Sequence, residues 1–316
     1  MDSLSLTLSC GDYDRTRPLI DGRVPTQGLD LTVIPLPSGE RHRRFVKNLE
    51  FDICELQIAQ YLGLKSRGAP ITAIPVFPHR RFNHSCVMVR VDSKITQPKH
   101  LRGRRVGVHG HFNPIALWGR GLLQHEFNLP PSEINWIADG SEDMPGWTPP
   151  AWLKIERAPA GKKMQDLLKA GEIDGQILSD SGADAAAMNK LVRRLWPNYR
   201  EVEADYYRRT GIFPIRHLVV VKDEVLQSNR ALAKTLVSIF EEAKQMAYRY
   251  WADHRRSSLA WFGAEQEEER ALLGADPWPY SIDKNHRTLE TLLDYAFEQG
   301  LTERRLEIEE IFTPAE

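Results

Sequence analysis

Two ten-residue stretches of this chain nearly repeat one another. Lys47–Leu56 reads K-N-L-E-F-D-I-C-E-L and Lys169–Leu178 reads K-A-G-E-I-D-G-Q-I-L, so Lys, Glu, Asp and the closing Leu coincide. An apolar-periodic helical run precedes each copy, through Phe45 in the first and through Met164, Leu167 and Leu168 in the second. A short apolar strand follows each Asp. Two copies of one helix–turn–strand unit suggest two α/β lobes built alike. Paired lobes of that kind hold a small ligand in the cleft between them, near the carboxyl ends of their strands.

Composition narrows the function. The 316 residues suit two domains, and 41% hydrophobic content is enough to bury a sizeable core. Basic residues number 42 and acidic residues 43, a net charge of −1. That balance argues against a general nucleic-acid binder, which needs a basic excess or stripe. No stretch reaches the roughly 18 apolar residues of a membrane span. The chain opens Met1-Asp2-Ser3-Leu4 and runs into alternating Leu4, Leu6 and Leu8, without the pattern of an export signal. The expected location is the cytoplasm. Cys10, Cys54 and Cys86 are odd in number, share no metal-type spacing and adjoin apolar runs, so they read as buried thiols.

Strands alternate with helices along most of the chain, which predicts an α/β architecture with mostly parallel sheets. Strands are expected over 4–9, 29–36, 71–77, 86–91, 105–108, 134–138, 175–178 and 215–221, with another just before Glu55. Helices are expected near Pro18, through Phe45, and over 56–64, 114–123 and 162–169. Ser179-Asp180 would cap a further helix. The remainder reads as helical over 229–251, 257–273, 285–299 and 303–312, a tail that wraps one lobe. The turn-rich segment Gln97–Gly103 lies near the start of the second lobe. The first lobe is assigned residues 1–91 and 216–316, and the second 92–215.

Candidate site residues lie in loops after strands and at helix starts. Asp14 and Arg15 follow the first strand and suit a carboxylate ligand, although Asp14 also suits a helix cap. Glu55 sits in an apolar run at a strand end, where poor solvation would raise its pKa toward general-acid use. The loop from Pro78 to His84 is dense in cations, and Arg81 could grip a carboxylate with its guanidinium fork. His84 would open a strand and be held in place there. His109 and His111 stand two apart, but Gly110 makes a loop, and no third ligand is spaced for a metal. His111 and Asn113 precede a helix whose first amides attract carboxylates. Arg216 and His217 interrupt an apolar strand on alternate faces, and each needs a partner.

Several segments together resemble the 4,5-dihydroxyphthalate decarboxylase family, on the two-lobed type 2 periplasmic-binding-protein-like fold. They are Tyr13-Asp14-Arg15, Phe51-Asp52-x-x-Glu55, Ile74-Pro75-Val76-Phe77 with Arg81-Phe82-x-His84, Trp118-x-Arg120-Gly121, Thr210 to Ile215 with His217, and Asp276-Pro277-Trp278-Pro279-Tyr280. The turn motifs around Gly103 and Gly171 resemble the second lobe of that fold. Two positions depart from the expected pattern: Asn83 stands where Arg is expected and Arg216 where an apolar residue is expected. A third is Pro114-Ile115, where a small hydroxyl residue usually opens the helix.

The resemblance implies a central cleft, a helical C-terminal region and a carboxy-lyase of aromatic catabolism, including phthalate degradation. Such an enzyme removes carbon dioxide from a hydroxylated aromatic acid without oxidation or a cofactor, and whether a metal assists stays open. His84, His217 or Glu55 would move the proton. Asp14, Arg15, Arg81, His111, Asn113, Arg120 and Arg216 would bind the substrate. The implied partner is a small aromatic carboxylate, not a nucleic acid or a membrane, and a homo-oligomer stays open. Two alternatives share the fold: a non-catalytic solute-binding protein for a small carboxylate, and a biosynthetic enzyme acting on another cyclic acid.

Overall fold

The computed structural model describes residues 4–140, 144–178, 190–229 and 231–313. The chain begins with β1 (Ser5–Cys10), α1 (Arg17–Ile20), β2 (Asp30–Pro35), α2 (Ser38–Asn48), β3 (Ile53–Gln57), α3 (Ile58–Lys65) and β4 (Ile71–Arg80). It continues through β5 (Val87–Arg90), β6 (Arg105–Val108), α4 (Pro114–Phe127), β7 (Asn135–Ala138), β8 (Ile155–Arg157), α5 (Met164–Ala170), β9 (Gly175–Ile177), β10 (Val192–Arg194) and α6 (Tyr199–Thr210). It ends with β11 (Ile215–Lys222), α7 (Asp223–Ser228), α8 (Leu232–Trp251), α9 (Phe262–Leu273), α10 (Ile282–Glu298) and α11 (Ile308–Ile311).

Two sheets result, of order β2-β1-β3-β11-β4 and β10-β5-β9-β6-β7-β8. In the first, β1 runs parallel to β2 and β3, while β11 is antiparallel to both β3 and β4. In the second, β6 is parallel to β7 and β9, and β5 and β10 form an antiparallel edge. The α/β architecture is therefore as expected, but both sheets are mixed and not mostly parallel: among the described residues, five pairings are parallel and four antiparallel.

The near-repeat has a physical basis. Leu49 ends α2 and Gly171 ends α5, each in the left-handed conformation, at φ 46° and 71°. Phe51 and Ile173 are then buried. Asp52 accepts from the Thr7 amide at 2.9 Å, at the start of the first lobe's β1. Asp174 accepts from the Arg105 amide at 3.1 Å, at the start of the second lobe's β6. In both lobes the aspartate fastens the incoming strand to the one it runs beside.

The structure revises several boundaries. Strand β4 runs on through His79 and Arg80, where a loop was expected. His84 opens a 3₁₀ turn, His84–Cys86, and not a strand. Strand β5 pairs with β9 in the second sheet, so the chain crosses between the lobes before Val87 and not after Val91. The strands β8 and β10, three residues each, and helix α6 were not foreseen. Ser179-Asp180 lies outside the described residues.

The tail also does more than wrap one lobe. Helix α10 contributes Leu289, Leu292, Leu293 and Tyr295 to the large core of the first lobe, and that core includes Leu117, Trp118 and Leu122 of α4. Gly121 permits the approach, because a Cβ there would collide with the Tyr295 ring. Gln124 and His125 both meet Glu298, at 3.0 and 2.7 Å.

The strand-fastening role of Asp52 yields a measurable expectation. Its carboxylate also accepts from the Thr7 hydroxyl at 2.7 Å and from Lys222 Nζ at 3.4 Å, so Asp52→Ala removes three charge-assisted bonds at a partly exposed site. Urea unfolding should show a loss of about 1–2 kcal/mol. Asp174→Ala, with its one such bond to the neighbouring strand, should lose less.

Candidate functional site

The site starts from sheet register. On β11, His217 faces Gln57 of β3 and His79 of β4, and Val219 faces Glu55. Side chains alternate at period two, so His217, His79, Gln57 and Glu55 share one face of the sheet. Glu55 and His217 are diagonal neighbours on it, within reach of long side chains. Helix α2 packs over this face and adds Arg41 and His42, both buried.

Glu55 is the centre of the cluster. Its side chain is wholly buried and lies 2.5 Å from His217 Nδ1 and 3.1 Å from Arg41 Nη2. The Gly11 amide donates to it at 2.7 Å and the Tyr13 hydroxyl at 3.0 Å. Arg41 is fixed in turn by donating from Nε to the Glu55 carbonyl at 2.9 Å and from Nη1 to the Leu36 carbonyl at 2.6 Å.

This geometry overturns the expected protonation of Glu55. Burial alone would raise its pKa, but Arg41, His217 and the Gly11 amide hold it well below the ordinary glutamate value. Glu55 is a carboxylate and not an acid. Burial lowers the pKa of His217 in spite of the glutamate beside it. The neutral ring then donates Nδ1–H to the carboxylate, which leaves Nε2 as the basic nitrogen. His42 and His79 form edge contacts with the His217 ring at 5.0 and 4.7 Å. Burial and the nearby cations push both downward, His79 to about 2.

Arg15 flanks the cluster. It donates from Nε to the Pro78 carbonyl and from Nη1 to Asp14 at 3.0 Å. Its guanidinium lies over the rings of Tyr13 and Trp278, at 4.6 and 4.0 Å. Asp14 is half exposed and also accepts from Trp251 Nε1 at 3.1 Å. His42 and Gln57 reach a cleft of about 180 Å³, whose other wall is His109, Phe112 and Asn113 of the second lobe. That volume is below the ~300–1,000 Å³ of small-molecule sites.

The other expected site residues lie apart from Glu55 and His217. His84 packs on Trp196 and Tyr206, and burial followed by Arg209 lowers its pKa to about 4. His111 Nε2 meets the Gln299 carbonyl at 2.8 Å, and Arg120 binds the Gln299 side chain and the His111 carbonyl, each at 2.7 Å. Those two residues clamp α4 to the tail. His109 pairs with Asp139 near the surface, so the two histidines of that loop diverge. Asn113 borders the cleft, but its side chain caps α4 by accepting from the Ile115 and Ala116 amides. Arg81 follows β4, and its charge acts on Arg216 and Glu203.

Arg216 takes the opposite face of β11 from His217. Its Nη2 lies 3.1 Å from the Phe82 carbonyl, 3.4 Å from Asn83 Oδ1 and 3.2 Å from Cys86 Sγ. The two departures, Asn83 and Arg216, are thus in contact. Arg216 brings a cation against the side chain at 83, the position where the resemblance leads us to expect an arginine. Sequence reasoning missed Arg41, His42 and His79. The signal available was the strand register, which pairs His79 with His217.

The buried pair sets a stability expectation with a sign. Glu55→Gln leaves Arg41 buried without its counter-charge, a loss of roughly 3–5 kcal/mol at neutral pH. The folded pKa is depressed, so this stabilisation is present above the ordinary value of 4.5 and is lost as pH falls below it. Thermal melts across pH should show the gap between parent and variant narrowing below that point.

Comparison with known proteins agrees with this architecture. Residues 25–135 match the family model "NMT1/THI5 like". A 4,5-dihydroxyphthalate decarboxylase of Comamonas testosteroni is 32% identical over the whole chain and 98% of its own length. Another, of Pseudomonas putida, is 29% identical over 66% of this chain and 83% of its own. Among solved structures, the periplasmic aliphatic sulphonate binding protein SsuA of Escherichia coli covers 99% of this chain and 92% of its own, with TM-score 0.58 and 13% identity. The desulfurization enzyme DSZB covers 99% and 97%, with TM-score 0.50 and 15% identity. The chain adopts the two-lobed periplasmic-binding-protein-like fold and belongs to the 4,5-dihydroxyphthalate decarboxylase family.

Proposed function

We propose that the protein is a non-oxidative decarboxylase of a hydroxylated aromatic carboxylic acid, 4,5-dihydroxyphthalate or a close relation of it. The observation that carries this reading is the 2.5 Å contact between Glu55 and His217, set among histidines held neutral. Among the described residues, His217 is the one of the three clustered imidazoles with a carboxylate against it. It can therefore gain a proton at Nε2 while Glu55 balances the charge. The relatives' names supply the substrate class.

In this mechanism a ring hydroxyl para to one carboxylate feeds electron density toward the carbon bearing it. His217 collects a proton at Nε2 and passes it to that carbon, which forms the new C–H bond. The carbon–carboxylate bond breaks, its electron pair returns to the ring, and carbon dioxide leaves. Each turnover replaces one carboxylate by hydrogen and takes up one proton. Arg15, exposed enough to meet a ligand, anchors the acid. Closure of the lobes excludes water from the charged intermediate, where fixed cations act most strongly.

Incubation with a panel of hydroxylated aromatic acids should release carbon dioxide from one or more of them. Binding without release would favour a solute receptor instead. His217→Ala should lower kcat by about 10²–10⁴-fold while the substrate still binds. Arg15→Ala should raise KM by about ten- to a hundredfold, the loss of one charge-assisted contact, with little change in melting temperature. Because His217 must carry the proton it delivers and its pKa is depressed, the parent's kcat/KM should rise as pH falls toward and below the ordinary histidine value of 6.5, and should decline at higher pH.

A further inference from the structure

We propose that His42 and Gln60 are specificity-determining residues of the interlobe cleft, His42 donating to a ring hydroxyl and Gln60 accepting from it. This deepens the decarboxylase reading and rests on it for the ring that enters.

The argument begins with the tautomer of His42. Its Nε2 lies 3.4 Å from Arg41 Nη2. A guanidinium can only donate, so Nε2 is the accepting nitrogen. Burial, with the charges of His217 and Arg41, holds the ring neutral. A neutral imidazole with a lone pair on Nε2 carries its hydrogen on Nδ1. The His42 side chain is buried, and among the described residues Nδ1 has no hydrogen-bond partner. An N–H in that position ordinarily finds one.

A second atom has the opposite need. Gln60, in the first turn of α3, keeps its side-chain oxygen buried and, among the described residues, without a partner. Both residues line the cleft of about 180 Å³ between the lobes. A donor alone would suit a carboxylate. The amide oxygen excludes it, because two sets of lone pairs would face each other. A hydroxyl gives and accepts at once, and so satisfies both atoms.

The cleft has room for the group and lies beside the chemistry. Its volume compares with the ~150 Å³ at which an apolar cavity takes up benzene. Phe112 supplies a flat wall. It rests on Gly63, about one turn along α3 from Gln60, where an added Cβ would come within 2.5 Å of its ring. Two residues of the cleft also adjoin His217. The His42 ring meets it edge-on at 5.0 Å, and Gln57 stands opposite it in the register of β3 and β11. The histidines thus divide the work. His217, with Glu55 against it, moves the proton, while His42 stays neutral and holds the ring.

Catechol and ortho-difluorobenzene test the pair. They are similar in size, and neither carries a carboxylate to lose. NMR titration of the parent should show catechol bound at least tenfold tighter, since a site built around a hydroxyl rejects the analogue without one. His42→Phe keeps a ring but no donor, and Gln60→Leu removes the acceptor. Each should weaken catechol about three- to tenfold, the loss of one hydrogen bond, and change difluorobenzene less than twofold. Gln60 makes no bond to Arg41 or Glu55, so its variant carries the test should the other fail to fold. No preference for catechol in the parent, as when water alone fills the cleft, would overturn the proposal, and so would equal weakening of both probes. A catechol preference lost in the variants, with no carbon dioxide from any hydroxylated acid, would sink the enzyme reading and leave the pair standing. Carbon dioxide release by the parent, with variants that keep full catechol affinity, would do the reverse.

Discussion

The buried contact between Arg41 and Glu55 organises the first lobe. Neither charge reaches water, and neither could be buried alone without a penalty of several kcal/mol. Their requirement for one another fixes α2 against β3. The remaining lone pairs of Glu55 take up the Gly11 amide and the Tyr13 hydroxyl, which sets the path of the loop after β1. That loop carries Arg15. The same carboxylate orients the imidazole of His217 from the neighbouring strand. Helix, loop and return strand all converge on one ionised side chain, and the chemistry of the site follows from its staying ionised.

Much of the architecture was legible in the sequence because it depends on local pattern. The Lys–Glu–Asp–Leu coincidence reports a left-handed helix end, a buried apolar residue and an aspartate that grips the adjacent strand, all features set within a few residues. Pro114 and Asn113 announced α4 for a similar reason. What escaped was non-local or short. The strands β8 and β10 carry too few residues to show a period. The crossing before Val87 depends on which sheet β5 joins, and its alternation reads alike in either.

The site was legible in part. Glu55, His217 and Arg15 lie in segments whose chemistry stands out from apolar surroundings. The inference that an apolar setting raises the pKa of Glu55 was sound physics applied without the partner. Arg41 comes from a helix fourteen residues earlier, and nothing local ties it to Glu55 until the fold lays that helix over β3. His111 and Arg120 show a second, structural role that their sequence setting does not reveal. Buried polar residues near a cleft look functional in sequence, whereas here they satisfy Gln299.

That attachment at Gln299 bears on how the molecule breathes. Its carbonyl holds His111, its side-chain oxygen holds Arg120, and its amide donates to the Leu117 carbonyl at 3.0 Å. The helix before it is embedded in the first lobe. The two halves are thus stitched along one flank by the end of the chain, in addition to the two crossing strands. Separation cannot proceed like a book opened flat. A parting of the lobes that keeps these three bonds has to turn about the stitched flank. The last helices of the polypeptide are therefore part of the joint between the lobes and not a covering laid over one of them.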